Sequence, residues 1–206
     1  MPKIIDREQI KTDIVVAFQQ CLNDKPIAKT TLRDIAAKAG MSHSKLLCYF
    51  KDKNEIVFTC AKNIRIYFTQ RCVQWFATHN REDYSSNEEY FNCFLEILTG
   101  DLVDQNRLNA TFQIFVLAHY DESIAQLVAE ENLAWRKALY DCLSPMFKNR
   151  ISDNEIEVLL VLIAGTYTGN YNKAFSGSVN SHILTCIGDM IRPLPPVGNS
   201  TSSATT

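Results

Sequence analysis

The sequence predicts an all-α protein. An N-terminal three-helix head with a helix-turn-helix is followed by a helical body, giving about nine helices in all. Three observations carry this reading. Apolar residues recur at spacings of three and four, the period of one helix face, and no run shows the alternation of a half-buried strand. Ser, Thr or Asp followed three residues later by an acidic or amide residue occurs at Asp6, Thr31, Asp52, Ser86 and Ser152, each a helix-start signature. Gly40 separates two short periodic segments, where a residue free to enter the left-handed conformation ends a helix.

The elements follow in order. Asp6 with Gln9 opens a first helix with the stripe Ile10, Ile14, Ala17, Phe18 and Cys21. Residues 23–29, with Pro26, form a connection. Thr31 with Asp34 starts a second helix carrying Leu32, Ile35, Ala36 and Ala39, and Gly40 stops it. Ser42 caps a third, expected to run to Phe50, with Leu46 tucked beneath the small Ala36 and Ala39. Asp52 with Glu55 opens a long helix from Lys53 to about Ala77, whose apolar residues Ile56, Cys60, Ile64, Phe68, Cys72 and Phe76 step by four. Such a helix, about 35 Å long by its rise per residue, can join head to body. Residues 78–86 are a polar break.

Ser86 with Glu89 starts the next helix, ending near Gly100. Others run from about Asp104 to His119, and from Ser123 to Leu143 ahead of Pro145. Ser152 with Glu155 caps one that reaches about Phe175 and is apolar nearly all round, the mark of burial on most sides. Ser181 to Ile191 forms the last, ended by Pro193, Pro195 and Pro196. The expected division is a helix-turn-helix domain over 1–52, a second domain over 53–196, and a disordered tail over 197–206 of small polar residues.

Bulk properties narrow the function classes. At 206 residues, with 46% hydrophobic and 21% charged residues, the chain has an ordinary globular composition. Its net charge of −2 conceals an asymmetry. Residues 1–65 hold 12 Lys and Arg against 7 Asp and Glu, and the remainder 9 against 16. A basic head on an acidic body suits phosphate contact at one end. The seven cysteines are irregularly spaced, with no C-x-x-C and no zinc-ligand pattern, so no metal site is expected and reduced thiols in a cytoplasmic protein are. The N-terminal segment lacks the apolar core of a signal peptide, and the uncharged run 158–172 falls short of the roughly 20 residues of a membrane span, so no membrane partner is expected. No H-E-x-x-H, G-x-S-x-G or glycine-rich phosphate loop occurs; neither an enzyme nor a cofactor is implied.

Residues 30–53 resemble the TetR family of bacterial transcriptional regulators. The likeness lies in Thr31, Ile35, Ala36, Ala39, Gly40, Met41, Ser42, Leu46, Tyr49, Phe50 and Lys53, at that family's spacing. Beyond about the first fifty residues it rests on length and helical layout alone.

In a helix-turn-helix the second helix enters the major groove of double-stranded DNA, N-terminal residues first. His43, Ser44 and Lys45 are then placed for base edges, Lys45 as a donor to guanine. Ser42, the cap of that helix, stands with them at the DNA, and Thr31, with Arg33 beside it, and Lys53 sit at helix starts placed for phosphates, while Tyr49 resembles the family's phosphate-contacting aromatic. Leu47 and Cys48 stand where the resemblance would put hydroxyl- or imidazole-bearing residues. Leu47 suits either a thymine methyl or internal packing.

For the body, the resemblance implies a small-molecule pocket. The candidate lining residues are Phe68, Cys72, Trp75, Phe91, Phe94, Phe112, Phe115, His119, Trp135 and Tyr167, with Asn92 and Gln113 as further polar groups. It also implies a homodimer through the last two helices, for which the candidates are Leu159, Leu162, Ile163, Tyr167, Ile183 and Ile187. The implied function is a repressor released from a near-palindromic operator by a small-molecule effector. The alternative is a helical interaction protein whose degenerate helix-turn-helix no longer binds DNA.

Overall fold

A computed structural model describes residues 6–99, 105–147 and 151–171, and every described element is helical. Eight α-helices occupy these residues: α1 Arg7–Cys21, α2 Leu32–Lys38, α3 His43–Leu46, α4 Lys53–Thr78, α5 Asn87–Thr99, α6 Gln105–Ala118, α7 Glu122–Leu143 and α8 Asp153–Tyr171. The helix expected over 181–191 and the tail lie outside the described residues.

Most helices start where their caps predict. The Asp6 carboxylate accepts from the amides of Glu8 and Gln9. At α2 the capping box is complete: Thr31 Oγ1 accepts from Asp34 N at 3.2 Å, and Asp34 Oδ2 accepts from Thr31 N at 2.8 Å. Asp52 Oδ1 takes Glu55 N at 2.8 Å, and Ser152 Oγ takes Glu155 N at 3.3 Å. Helix α7, expected from Ser123, starts one residue earlier, capped by Asp121. Its carboxylate accepts from Ser123 N, Ser123 Oγ and Ile124 N together, which a hydroxyl two residues later cannot match.

The turn after α2 is a Schellman motif, with Met41 N donating to Ala36 O at 2.9 Å and Gly40 N to Ala37 O at 3.2 Å. Gly40 has φ +65°, the left-handed value that this turn needs. Helix α3 is shorter than expected. After Leu46 the chain keeps winding to Phe50, but through tighter bonds such as Cys48 N to Lys45 O and Tyr49 N to Leu46 O.

Helix α4 lies along α7 in the largest helix–helix contact among the described residues, and α1 packs on α2, α4 and α6. One continuous set of buried side chains runs from Ile14 and Phe18 through Ile56, Cys60 and Ile64 to Phe68, Leu139 and Ile163. The head is therefore fused to the body through the start of α4. Gln113 on α6 adds a polar fastening: its Oε1 accepts from Ile27 N at 2.8 Å and its Nε2 donates to Leu22 O at 3.0 Å. None of the described helices is long and apolar enough to cross a membrane.

Candidate nucleic-acid interface

The helix-turn-helix is built by packing on one side and left bare on the other. Ile35, Ala36 and Leu46 are buried, and the small Ala36 lets α3 approach α2 closely. Ser42 Oγ accepts from Lys45 N at 3.2 Å and fixes the first turn of α3. That orientation leaves His43, Ser44 and Lys45 exposed along one edge. Arg33, His43 and Lys45 enter no ion pair within the described residues.

Leu47 is 42% exposed and does not pack inside. Cys48 is exposed too, its thiol donating to Ser44 O at 3.5 Å. Thr31 is exposed, but its amide and its hydroxyl both donate to the Asp34 carboxylate, so it presents no open N–H. Asp34 in turn pairs with Lys25 at 2.8 Å; that ammonium and the Thr31 bonds hold its carboxyl well below the usual carboxylate range. Lys53, placed for a phosphate by its sequence position, reaches back to the segment between α1 and α2: its Nζ donates to Ile27 O at 3.0 Å.

Two basic residues of α1 join this surface without having been expected there. Arg7 Nη2 donates to Cys48 O at 3.2 Å, and its guanidinium lies 5.9 Å from the Tyr49 ring centroid. Lys11 Nζ lies 5.8 Å from the Phe50 ring. Both bring positive charge to the C-terminal end of the recognition helix, beside the half-buried Tyr49. The available signal was their i, i+4 spacing on the polar face of the first helix.

The expected pocket residues mostly form close-packed core. Phe68, Cys72, Trp75, Phe91, Phe94, Trp135 and Tyr167 are buried. Phe68 sits 5.7 Å from Trp135 and 5.5 Å from Tyr167, ring to ring, and the Tyr167 hydroxyl donates to Leu98 O. Asn92 Oδ1 and Trp135 Nε1 are buried without a hydrogen-bond partner among the described residues. His119 and Phe115 face solvent.

A cavity of ligand size lies elsewhere. About 1040 Å³ in volume, it lies between the head and the body, and of the expected lining only Phe112 and Gln113 reach it. Within the described residues no group of three or more metal-ligating side chains gathers.

Of the expected dimer residues, Leu159, Ile163 and Tyr167 point into the protomer and are buried there, while Leu162 is half-buried. Ile183 and Ile187 lie outside the described residues. The open apolar face of α8 is instead the one bearing Val158, 43% exposed, and Val161, 70% exposed, with Ala164 and Gly165 on the same side. A helix apolar all round gives no sequence signal for which face stays open.

Comparison with known proteins places this geometry. Residues 14–60 match the family model of bacterial regulatory proteins, tetR family. No curated protein matches the chain. A protein of Pseudomonas aeruginosa PAO1 assigned as a transcriptional regulator has the same fold, with TM-score 0.73 at 17% identity over 91% of this chain and 92% of that one. A Rhodococcus sp. protein assigned to the TetR family gives 0.67 at 17% identity, over 88% and 98%. FadR from Bacillus subtilis, solved with stearoyl-CoA, gives 0.65 at 15% identity, over 85% and 96%. The resemblance carried by residues 30–53 thus falls within the segment that matches the family model, and the described fold is like that of solved proteins, one of them assigned to the TetR family.

Proposed function

We propose that this protein is a DNA-binding transcriptional regulator of the TetR type. It acts as a cytoplasmic homodimer, without enzymatic activity, that represses from a near-palindromic operator until a small molecule binds the body. The observation that carries this reading is the leading edge of α3. His43, Ser44 and Lys45 stand exposed on a helix whose other side is anchored by the fully buried Leu46. Arg33, exposed near the start of α2, and Arg7, against the C-terminal end of α3, add the positive charge that phosphate contacts need.

A two-fold pair of such heads presents two recognition helices one DNA turn apart, about 34 Å, so the operator has matching half-sites. The open Val158 and Val161 face of α8 is the surface that a second copy would cover. The structural neighbour solved with stearoyl-CoA supports a small-molecule ligand for this architecture. An effector weakens DNA binding by its differential affinity for two head spacings and by no more.

The test is selection of duplexes from a random pool, followed by titration against salt. Lys45→Ala should cost about 1–3 kcal/mol at the preferred site and relax its sequence preference. Arg33→Ala should weaken all duplexes alike and reduce the salt slope by about one. A protein that enriches no sequence and shows no salt-dependent binding is instead the interaction protein that the exposed Leu47 and Cys48 would suit.

A further inference from the structure

We propose that the cavity between head and body binds an amphipathic anion, a small molecule with an apolar frame and one negatively charged group, and that its occupancy loosens the head. Only the link to DNA release rests on the regulator reading above.

Size and lining set the frame. The cavity, about 1040 Å³, is at the upper end of small-molecule sites, which run to roughly 1,000 Å³. Ile27 of the head, Val57 and Phe58 of α4, Val116 and Leu117 of α6 and Ile124 of α7 line it. Phe58 and Val116 are 41% and 64% exposed, and Tyr120 at its edge is 80% exposed. These are large apolar surfaces left in contact with water on an open wall, and covering them drives association.

The polar groups choose the charge. Three carboxylates lie in the wall, and each is engaged with backbone amides at a helix start. Asp52 holds Glu55 N, Glu55 holds Lys51 N at 2.7 Å, and Asp121 holds Ser123 N and Ile124 N. The positive ends of α4 and α7 offset their charge. The two ammonium groups of the same wall, Lys51 and Lys53, have no carboxylate within ion-pair distance among the described residues. Lys53 has only the neutral Ile27 carbonyl as acceptor, which leaves its charge and two of its donors unmatched.

Position supplies the coupling. Two polar fastenings between the head and the rest of the chain meet at this wall: Lys53 Nζ on Ile27 O, and the Gln113 amide bridging Ile27 N and Leu22 O. Asn23, bonded to Asn106 and Asn109 of α6, fastens the head outside it. An anion that draws Lys53 toward itself frees the Ile27 carbonyl. An apolar frame seated between Ile27 and α6 strains the Gln113 bridge. Ligand and head then compete for the same groups.

The experiment uses the full chain, without DNA, and two fluorescent probes with the same ring system. These are 1-anilinonaphthalene-8-sulfonate and its uncharged counterpart N-phenyl-1-naphthylamine. The sulfonate should bind about tenfold tighter, one charge-assisted contact's worth. Lys51→Met and Lys53→Met should each erode that preference, the exposed Lys51 serving where Lys53→Met fails to fold. Val116→Trp, which fills the cavity, should weaken both probes by about tenfold or more while leaving the melting temperature near the parent's. Amide exchange over residues 22–30 should quicken with the sulfonate bound. Equal binding of the two probes, full binding to Val116→Trp, or unchanged exchange would each overturn the proposal. So would probe binding that falls as protein concentration rises, which marks the cleft as a seat for a second copy. Probe binding as expected from a protein that binds no DNA would leave this site standing and sink the regulator reading instead.

Discussion

Head and body are held by different kinds of physics. In the head, the chain's course follows from rules that act over four residues: the Thr31–Asp34 capping box, the left-handed Gly40, and the small Ala36 against Leu46. In the body, α4, α7 and α8 are placed by burial against partners far along the chain, as Phe68 shows in meeting Trp135 and Tyr167. Local rules leave specific side chains bare for a partner. Burial rules use up the conspicuous aromatic ones.

The hardest blow to that contrast is a matched pair in the two cores. Phe50, 1% exposed, and Phe94, fully buried, should each cost about 3–5 kcal/mol when changed to Ala. Because one set of buried residues runs through both regions, calorimetry should show a single transition lowered by either change. Two separable transitions would mean that the head folds as its own unit and that the continuity through Ile56, Cys60 and Ile64 carries no cooperativity.

The same contrast sets what was legible in the sequence. The caps at Asp6, Thr31, Asp52, Ser86 and Ser152 fixed five helix starts, since each needs only its own neighbours. That His43, Ser44 and Lys45 stand exposed on α3 was legible for the same reason. The pocket was not. Trp75 and Phe94 have the spacing of an inward face, but spacing cannot distinguish a lining wall from a packed core. Their rings sit 5.2 Å apart. The cavity arises where Ile27, Phe58 and Val116, on three separate elements, fail to meet, and no local pattern records a gap. Lys53 misled for a related reason: its position in the motif was right, but its long side chain reached across to Ile27 O.

A middle-sized effect tests the seam between the regions. Gln113→Leu keeps the volume at the head–body contact but leaves Ile27 N and Leu22 O without their partner. Leaving such groups unsatisfied should cost about 1–3 kcal/mol. Hydrogen exchange should rise first at residues 22–30, well before the α4–α7 contact responds. Uniform loss of protection across the molecule would show that Gln113 supports the whole fold and not the joint.

The smallest effect asks whether the head's local rules matter as much as claimed. Thr31→Ala removes the hydroxyl that accepts from Asp34 N and donates to its carboxylate, a change of about 1 kcal/mol for an N-cap at neutral pH. Part of this depends on Asp34 being ionised. Its carboxyl is held well below the usual range, first by Lys25 and then by Thr31. A depressed carboxyl stabilises the fold above its unfolded pKa of about 3.9 and loses that contribution as pH falls through the folded value. The penalty of Thr31→Ala should therefore be level from neutral pH to about pH 5 and shrink below about pH 4. The parallel change in the body, Ser152→Ala, should cost less. Helix α8 has 19 residues and buries Ile156, Leu159 and Ile163 completely, so its first turn can fray while packing holds the rest. Helix α2 has seven residues and little else to fix its start. Equal penalties for the two caps would erase the distinction between a region set by local rules and one set by burial.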